Sequence, residues 1–349
     1  MIRSLTSLRF VFILLIVLFH MVGQRFELGG DCGVAFFLML SGFVLSYAYG
    51  QQVADGSFRI LPFVKKQLAK FYPLHLLMLL AMVILDARLG LFYQWYQLLP
   101  SVLLIQTWFP VDSIIHVANA SSWFLCALLF CYLLFPVLYR LCYGLPPTRL
   151  AVAILAVLLV YGWLVSLVPG WQVNNVVCLS PWLRIIDFGI GVLTSRLYRS
   201  TLGIAFGRRL QSLSPTPVTV VELLSVALIV GTFFVYGAVP LHIRCASLFW
   251  LPLPSVIFLF ACLEHSGGWL TRLLHRPLLQ RLGALGLEIY LTHELVIRLL
   301  NSLLHQFFAG RQHVFGFFVP FYVLAIVAVA YIARRWVVRP LQFKLIANY

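Results

Sequence analysis

Residues 8–24 read LRFVFILLIVLFHMVGQ, an apolar run that is interrupted only by the ionisable side chains of Arg9 and His20. Its length matches the roughly 20 apolar residues that an α-helix needs to cross a bilayer. Similar runs recur along the whole chain between turn residues, which predicts an all-α, polytopic membrane helix bundle in one domain over residues 1–349. The ten transmembrane helices that we predict cover 8–24, 33–50, 68–88, 121–141, 151–169, 181–199, 217–237, 244–263, 283–308 and 315–336.

The composition excludes most other classes of protein. Of the 349 residues, 62% are hydrophobic and only 10% are charged, and the mean hydropathy is +0.98. Soluble globular proteins carry about 25% charged residues, so this chain has too little charge to cover a surface in water. A soluble enzyme, a disordered chain and a secreted disulfide scaffold are therefore excluded. The seven cysteines show neither a CxxC pair nor a Cys/His metal spacing, and we expect small hydrophobic side chains rather than a metal site.

The formal net charge of +15 would suggest nucleic acid binding in a soluble protein, but in a membrane protein it reflects the positive-inside rule. With the N-terminus in the cytoplasm, 19 of the 25 Lys and Arg residues fall on the cytoplasmic side of the predicted helices and six on the outer side or half. This asymmetry predicts a multi-pass protein of the inner or plasma membrane with both termini inside. An additional span near 95–109 would spoil it, so we interpret Trp95–Phe109 as interfacial or re-entrant, within a long extracytoplasmic loop at 89–120.

Arg9 and His20 are the most informative residues of the first helix. Eleven positions at 100° each bring the two side chains to one face, roughly 16 Å apart along the axis. Ionisable residues inside a membrane span are expensive and are functional candidates by default. The alternative is an arginine that only sets the topology and a histidine that is hydrogen-bonded to a neighbour.

The sequence resembles the acyltransferase-3 family of multi-span membrane acyltransferases. Arg9 and His20 are similar to the Arg-x10-His pattern of that family's first helix. Six further fragments resemble family motifs in the same order: GVAFFLMLSGFVLSY (Gly33–Tyr47), FVKKQLAKFYPLHLL (Phe63–Leu77), WFLCALLFCYLLFP (Trp123–Pro136), RIIDFGIGVL (Arg184–Leu193), LGALGLEIYLTHELV (Leu282–Val296) and Arg339-Pro340.

The chain departs from the family at two places. The family often has two arginines three positions apart before the proline of helix 3, where this chain has Gln67 and Lys70. A lysine retains the charge but not the bidentate phosphate recognition of arginine. Many members also have an acidic pair after the tryptophan of the fourth helix, where this chain has Leu128 and Leu129. The role of that carboxylate is either absent here or filled by another group.

The resemblance implies acyl transfer from acyl-CoA, and acetyl-CoA in particular, as a donor substrate with no bound cofactor. Such a transfer requires a base for the acceptor hydroxyl, and His20 is the best candidate. Acyl-CoA is a cytosolic polyanion, so cations near the inner mouth are candidates for donor binding: Arg9 and Lys70 first, and then Lys65 and Lys66. Ordinary positive-inside charge would produce the same pattern.

The remaining candidates have alternative roles. His293 matches the histidine of the family's YLxH helix and is expected either to take part in catalysis or to pack in the core. Glu294 can pair with Arg298 one turn away. Asp31 and Asp187 are candidates to orient His20, although Asp187 can instead pair with Arg184. Trp123 is either an acceptor contact or a member of an interfacial aromatic belt.

These observations lead us to expect an integral membrane O-acyltransferase that acts on a cell-envelope glycan or a lipid-linked sugar. Two alternatives stay open at this point. The first is a transporter or flippase, which should show inverted repeats and broken helices at the membrane midplane. The second is a family-like membrane protein without catalysis, which the leucines at 128 and 129 suggest.

Overall fold

The computed structural model describes residues 2–22, 27–245, 247–265, 267–307 and 318–346, and regular structure in these ranges is helical, without strands. The predicted all-α membrane bundle is therefore confirmed. In the described ranges, eight helical stretches are long and apolar enough to cross a bilayer. Their helices are α1 (Arg3–Val22), α2 (Glu27–Ala54), α3 (Ile60–Arg88), α6 (Trp123–Gly144), α7 (Pro147–Ser166), α8 (Pro181–Arg199), α10 (Pro215–Tyr236) and α16 (Val319–Ala333), the last continued by a π-helical turn (Arg334–Val338) and α17 (Arg339–Ile346).

The other two predicted spans differ from their expected form. In place of 244–263, helix α12 covers only Pro252–Cys262. Prolines at 252 and 254 are tolerated in the first turn of a helix but would disrupt the interior of a helix that began earlier. In place of 283–308, α14 (Pro277–Ala284) ends before α15 (Gly286–Phe307) begins. Ionisable side chains along α15 lower its hydropathy. The predicted helix limits at 23–24 and 315–317, together with Arg25 and Arg311 of the charge map, lie outside the described residues.

The 89–120 segment holds only short helices. Helix α4 (Trp95–Leu103) has nine residues, about 14 Å at 1.5 Å per residue, which is too short to span a membrane. The residue that follows the helix, Leu104, has a φ of 57°, in the left-handed region, and this ends the helix. Trp95 is 73% exposed. This geometry agrees with an interfacial segment. Helix α5 (Asp112–Ile115) and a 3-10 turn (Ala120–Ser122) complete the segment.

The remaining α-helices of the described ranges are short or amphipathic connectors between spans. They are α9 (Thr201–Gln211), α11 (Leu241–Arg244) and α13 (Trp269–Leu274).

The closest helix packing joins α2 to α8. A side chain at Gly42 would overlap the carbonyl oxygen of Phe188, and one at Gly191 would overlap that of Met39. Small residues allow such backbone contact between membrane helices. The neighbouring Ser41 donates a hydrogen bond to the carbonyl of Phe37 (2.7 Å). The Ser41-Gly42 pair therefore belongs to a helix contact.

The loops collect at two ends of the bundle, as the predicted order of spans requires. At one end, which we call the loop end, Asn175 donates to Asp112 of the 89–120 segment (2.6 Å). At the other, which we call the basic end, the start of α1 is bound to later loops: Arg3 pairs with Glu264 (3.0 Å), and Gln280 donates to the carbonyl of Arg3 (2.7 Å). The assignment of the basic end to the cytoplasm stays a prediction.

Candidate active site

Two histidines from distant parts of the chain meet where α1 packs against α15. The ring centres of His20 and His293 are 4.6 Å apart, and the rings are nearly perpendicular at 74°. The Nδ1 atom of His20 lies 2.9 Å from the carbonyl oxygen of Ile16, and that of His293 lies 2.6 Å from the carbonyl oxygen of Tyr290. Because a carbonyl oxygen only accepts, each Nδ1 carries the proton and each Nε2 presents a lone pair.

The environments of the two imidazoles are different. His293 is fully buried, and its Nε2 has no hydrogen-bond partner among the described residues. His20 is half-buried. A half-buried imidazole with a free lone pair is suited to accept a proton from a hydroxyl group, and the buried second ring is suited to share it.

A network of charges and backbone groups holds this region at the loop end. Glu294 lies within electrostatic range of His20. One of its carboxylate oxygens pairs with Arg298 (2.6 Å), and the other accepts from the backbone N–H of Ser121 (2.9 Å). The Tyr290 hydroxyl donates to the Ser121 carbonyl. The predicted Glu294–Arg298 pair is therefore confirmed, and it fixes the entry to α6.

Asp86 on α3 extends this network. Its two carboxylate oxygens bind Arg298 (3.1 Å) and the hydroxyl of Tyr93 (2.7 Å). Burial of Tyr93, together with the hydrogen bond to Asp86, raises the pKa of the phenol, so it remains a donor. Arg298 thus links α3 to α15 near the histidine pair. Trp123, the first residue of α6, is half-buried and packs edge-on against Phe124.

A cavity of about 420 Å³ opens at the basic end between α1, α2, α3, α6, α14, α15, the π-helical turn and α17. Its polar lining includes Arg9 and Lys70, which are close enough to repel each other. Lys70 donates to Gln67 (2.7 Å), whereas Arg9 has no ion pair or hydrogen bond with any described residue. The further residues that carry polar groups on the cavity wall are Ser41, Gln67, Tyr132, Glu288, Tyr290, Arg334 and Gln342.

The two helices that contain the histidines, α1 and α15, also line the cavity. On α1, Arg9 packs close to Gly286 at the start of α15, and His20 meets His293 further along. The predicted shared face of Arg9 and His20 is therefore confirmed: both side chains lie against α15. Tyr290 lines the cavity, and its ring centre is 5.6 Å from that of His293. The inner end of the cavity thus lies about one helical turn from the imidazole pair.

Other predicted site residues lie elsewhere. Lys66 is exposed and outside the cavity lining, with its ammonium 6.0 Å from the ring centre of Tyr49. Leu128, the first of the two positions of the family's acidic pair, is part of the apolar cavity wall, whereas Leu129 is not. A positive charge at position 66 is therefore not part of the cavity, and position 128 contributes no carboxylate to it.

The two aspartates belong to a cluster around α8. Asp187 is buried, pairs with Arg184 (2.9 Å) and accepts from the indole N–H of Trp250 (2.6 Å). Asp31 accepts a hydrogen bond from the hydroxyl of Tyr236 (2.6 Å). The alternative pairing of Asp187 with Arg184 is therefore the one that the structure shows.

Comparison with known proteins agrees with this arrangement. A family model described as an acyltransferase domain, acyltransferase-3, matches residues 2–335. The chain belongs to the acyltransferase-3 family. It is also 29% identical over 325 residues to Acyltransferase MdmB of Streptomyces mycarofaciens, in an alignment that covers 84% of this chain and 79% of that protein. No solved structure matches significantly. The protein is thus a multi-pass membrane acyltransferase, as the motifs indicated.

Sequence reasoning missed several residues of this candidate site. Glu288 and Arg334 line the cavity, and Asp86 is buried beside Arg298. A usable signal existed, because each is an ionisable residue within a predicted span and thus a functional candidate. The signal for Tyr290 was weaker, since a tyrosine in a membrane helix is common near an interface.

Proposed function

We propose that the protein is an O-acyltransferase of the cell membrane. In this proposal it moves an acyl group, acetyl in the first instance, from acyl-CoA to a hydroxyl of an envelope glycan or lipid-linked sugar. The observation that carries the proposal is the pairing of a cation-lined cavity at one end with two proton-accepting imidazoles one helical turn beyond it. The family supports acyl transfer, and the geometry supports this donor and this reaction type.

The donor argument rests on unsatisfied charge. A guanidinium without a carboxylate partner is costly in a membrane protein, yet Arg9 has none among the described residues and lies near a second cation, Lys70. A polyanionic donor would supply the missing countercharge, and CoA carries its phosphates at the end remote from the acyl group. Phosphates near Arg9 would direct the pantetheine arm along the cavity towards Tyr290 and the histidines.

The chemical step follows from the tautomers. The Nε2 atom of His20 removes the proton of the acceptor hydroxyl as its oxygen attacks the thioester carbonyl carbon. The new C–O bond forms, the C–S bond breaks, and the proton passes from the imidazolium to the CoA sulfur, which leaves as a thiol. His293 lies where it can share the proton in between, and Glu294 stabilises the positive charge electrostatically.

The acceptor side is supported by the form of the loop end. Trp182 is 56% exposed there and donates from its indole to the carbonyl of Trp108 (3.3 Å). An exposed indole ring suits a sugar, which presents both apolar faces and hydroxyl groups. An extracytoplasmic acceptor agrees with the predicted orientation, since His20 lies in the outer part of α1.

Mass spectrometry of envelope glycans tests the function in four strains: cells that lack the gene, and the same cells carrying the wild type, His20→Gln or His116→Gln. His116 is an exposed histidine of the 89–120 segment and serves as the matched control. We expect one class of acetylated glycan to require the wild type or His116→Gln and to be absent with His20→Gln. Purified protein in nanodiscs should also release CoA from acetyl-CoA when the acceptor is added. Unchanged glycans in all four strains, with no CoA release, would refute the proposal and favour a transporter.

A further inference from the structure

The last predicted span contains a local irregularity at the cavity. Helix α16 ends at Ala333, and residues Arg334–Val338 form one turn of π-helix before α17 begins. Such turns interrupt the α-helical register and are frequent at functional sites. The turn begins with two adjacent arginines whose surroundings differ. Arg334 lines the cavity, whereas Arg335 is exposed and lies over the ring of Trp336 (5.7 Å).

Arg334 is held in place on one side only. Its Nη1 donates to the carbonyl of Ala284, and its Nε lies 3.8 Å from a carboxylate oxygen of Glu288. Glu288 is 6% exposed and lines the same cavity. A guanidinium has five N–H donors, and these two groups are its partners among the described residues. Most of its donors are therefore available to a ligand in the cavity.

The charge distribution of the cavity indicates what that ligand is. Arg9, Lys70 and Arg334 give three positive charges, and Glu288 gives one negative charge. The Glu288 carboxylate lies beside Arg334 and partly compensates the positive charge of the cavity. Three positive charges against one negative charge leave the cavity with a net surplus of two positive charges, which favours an anionic ligand.

We propose that Arg334 is a third cation of the donor site, which binds a phosphate of the nucleotide part of acyl-CoA, and that Glu288 is its positioning residue. This inference rests on the proposed function and adds a residue to it. Arg334 contributes a planar guanidinium that forms paired hydrogen bonds with phosphate oxygens, which Lys70 does not.

The test compares Arg334→Ala with Arg335→Ala in steady-state acyl transfer by the full-length protein in nanodiscs. The two variants remove the same charge from adjacent positions, but only position 334 lines the cavity. Loss of charge-assisted hydrogen bonds should raise the apparent KM for acyl-CoA about ten- to hundredfold for Arg334→Ala. We expect less than a twofold change for Arg335→Ala.

Acyl-pantetheine, which lacks the nucleotide phosphates, separates binding from structure. Arg334→Ala and the wild type should use this truncated donor equally well. Glu288→Gln should raise the KM for acyl-CoA with little effect on kcat, and it should leave the use of acyl-pantetheine unchanged. Arg334→Gln, measured in parallel, replaces Arg334→Ala if the alanine variant is not monodisperse.

Three results would overturn the assignment or its basis. Equal KM values for the 334 and 335 variants would reduce Arg334 to a topology signal. An equal loss of activity with acyl-CoA and acyl-pantetheine would make its role structural. If the wild type turned over acyl-pantetheine but showed no preference for acyl-CoA, the donor proposed above would itself be wrong, which the wild-type measurement alone reveals.

Discussion

Replacing His20 by glutamine separates a catalytic imidazole from a structural one. The glutamine amide can still donate to the Ile16 carbonyl, which His20 binds at 2.9 Å, so the net contribution of that bond, about 0.5–1.5 kcal/mol, is retained. The amide cannot accept a proton at neutral pH. A general base typically contributes 10²–10⁴-fold, so we expect a loss on the order of 10²-fold or more, about 2.7 kcal/mol in the barrier.

The second imidazole makes the experiment sharper. With ring centres 4.6 Å apart, His20 and His293 act as a unit if they share the proton, and losses within a unit are not additive. His293→Gln alone should then be slow, and the double variant should be no slower than the worse single variant within about threefold. Independent roles would instead multiply the two losses.

The assay is single-turnover transfer from acetyl-CoA by protein in nanodiscs. Each variant must match the wild type in monodispersity and melting temperature, so that a lower transfer rate reflects the chemical step and not a loss of folded protein. The exposed His116→Gln is the control. If His20→Gln retained a third or more of the wild-type rate while His20→Ala lost most of it, His20 would only close a hydrogen bond, and the general-base mechanism would be refuted.

Three other predictions concern the donor, the topology and the packing. Arg9→Ala should raise the apparent KM for acyl-CoA, whereas Lys66→Ala, which lies outside the cavity, should not; an unchanged donor affinity would make Arg9 only a topology signal. A reporter fused at Tyr349 should be cytoplasmic, and an extracytoplasmic reporter would contradict the N-in, C-in orientation. Gly42→Leu should lower the melting temperature through about 1–3 kcal/mol of overpacking against the α8 backbone, whereas Gly231→Leu, at an open position, should not; equal melting temperatures would show that the contact is not tight.

The fold class was predictable because it depends on properties that are local in sequence. The length and spacing of apolar runs predict spans, and the positions of Lys and Arg predict which loops share an end. The shared face of Arg9 and His20 was also predictable, since it follows from the helical repeat within one element. Where prolines shorten an apolar run, as in α12, hydropathy alone overestimated the helix.

The partners across helices were not predictable in the same way. Nothing local indicates that His293 packs on His20, because that contact depends on how α1 lies against α15. Only packing against Ala284 and Glu288 shows that Arg334 lines the cavity, because the sequence equally fits a cytoplasmic charge at the end of the span. The sequence favoured Lys70 over Lys66 as a donor contact, but only the packing of α3 shows that Lys70 lines the cavity and Lys66 does not.

The two halves of the site depend on a single register between α1 and the α14–α15 segment. A side chain at Gly283 would overlap the carbonyl oxygen of Thr6, and Arg9 packs close to Gly286. Both contacts lie at the basic end, yet they fix where the rigid helix places His20 about 16 Å further on. A slip of one turn, about 5.4 Å, would remove Arg9 from its place in the cavity and separate His20 from His293 together. Donor binding and base catalysis are thus tied to the same helix contact, so a change that loosens it at the basic end should impair both.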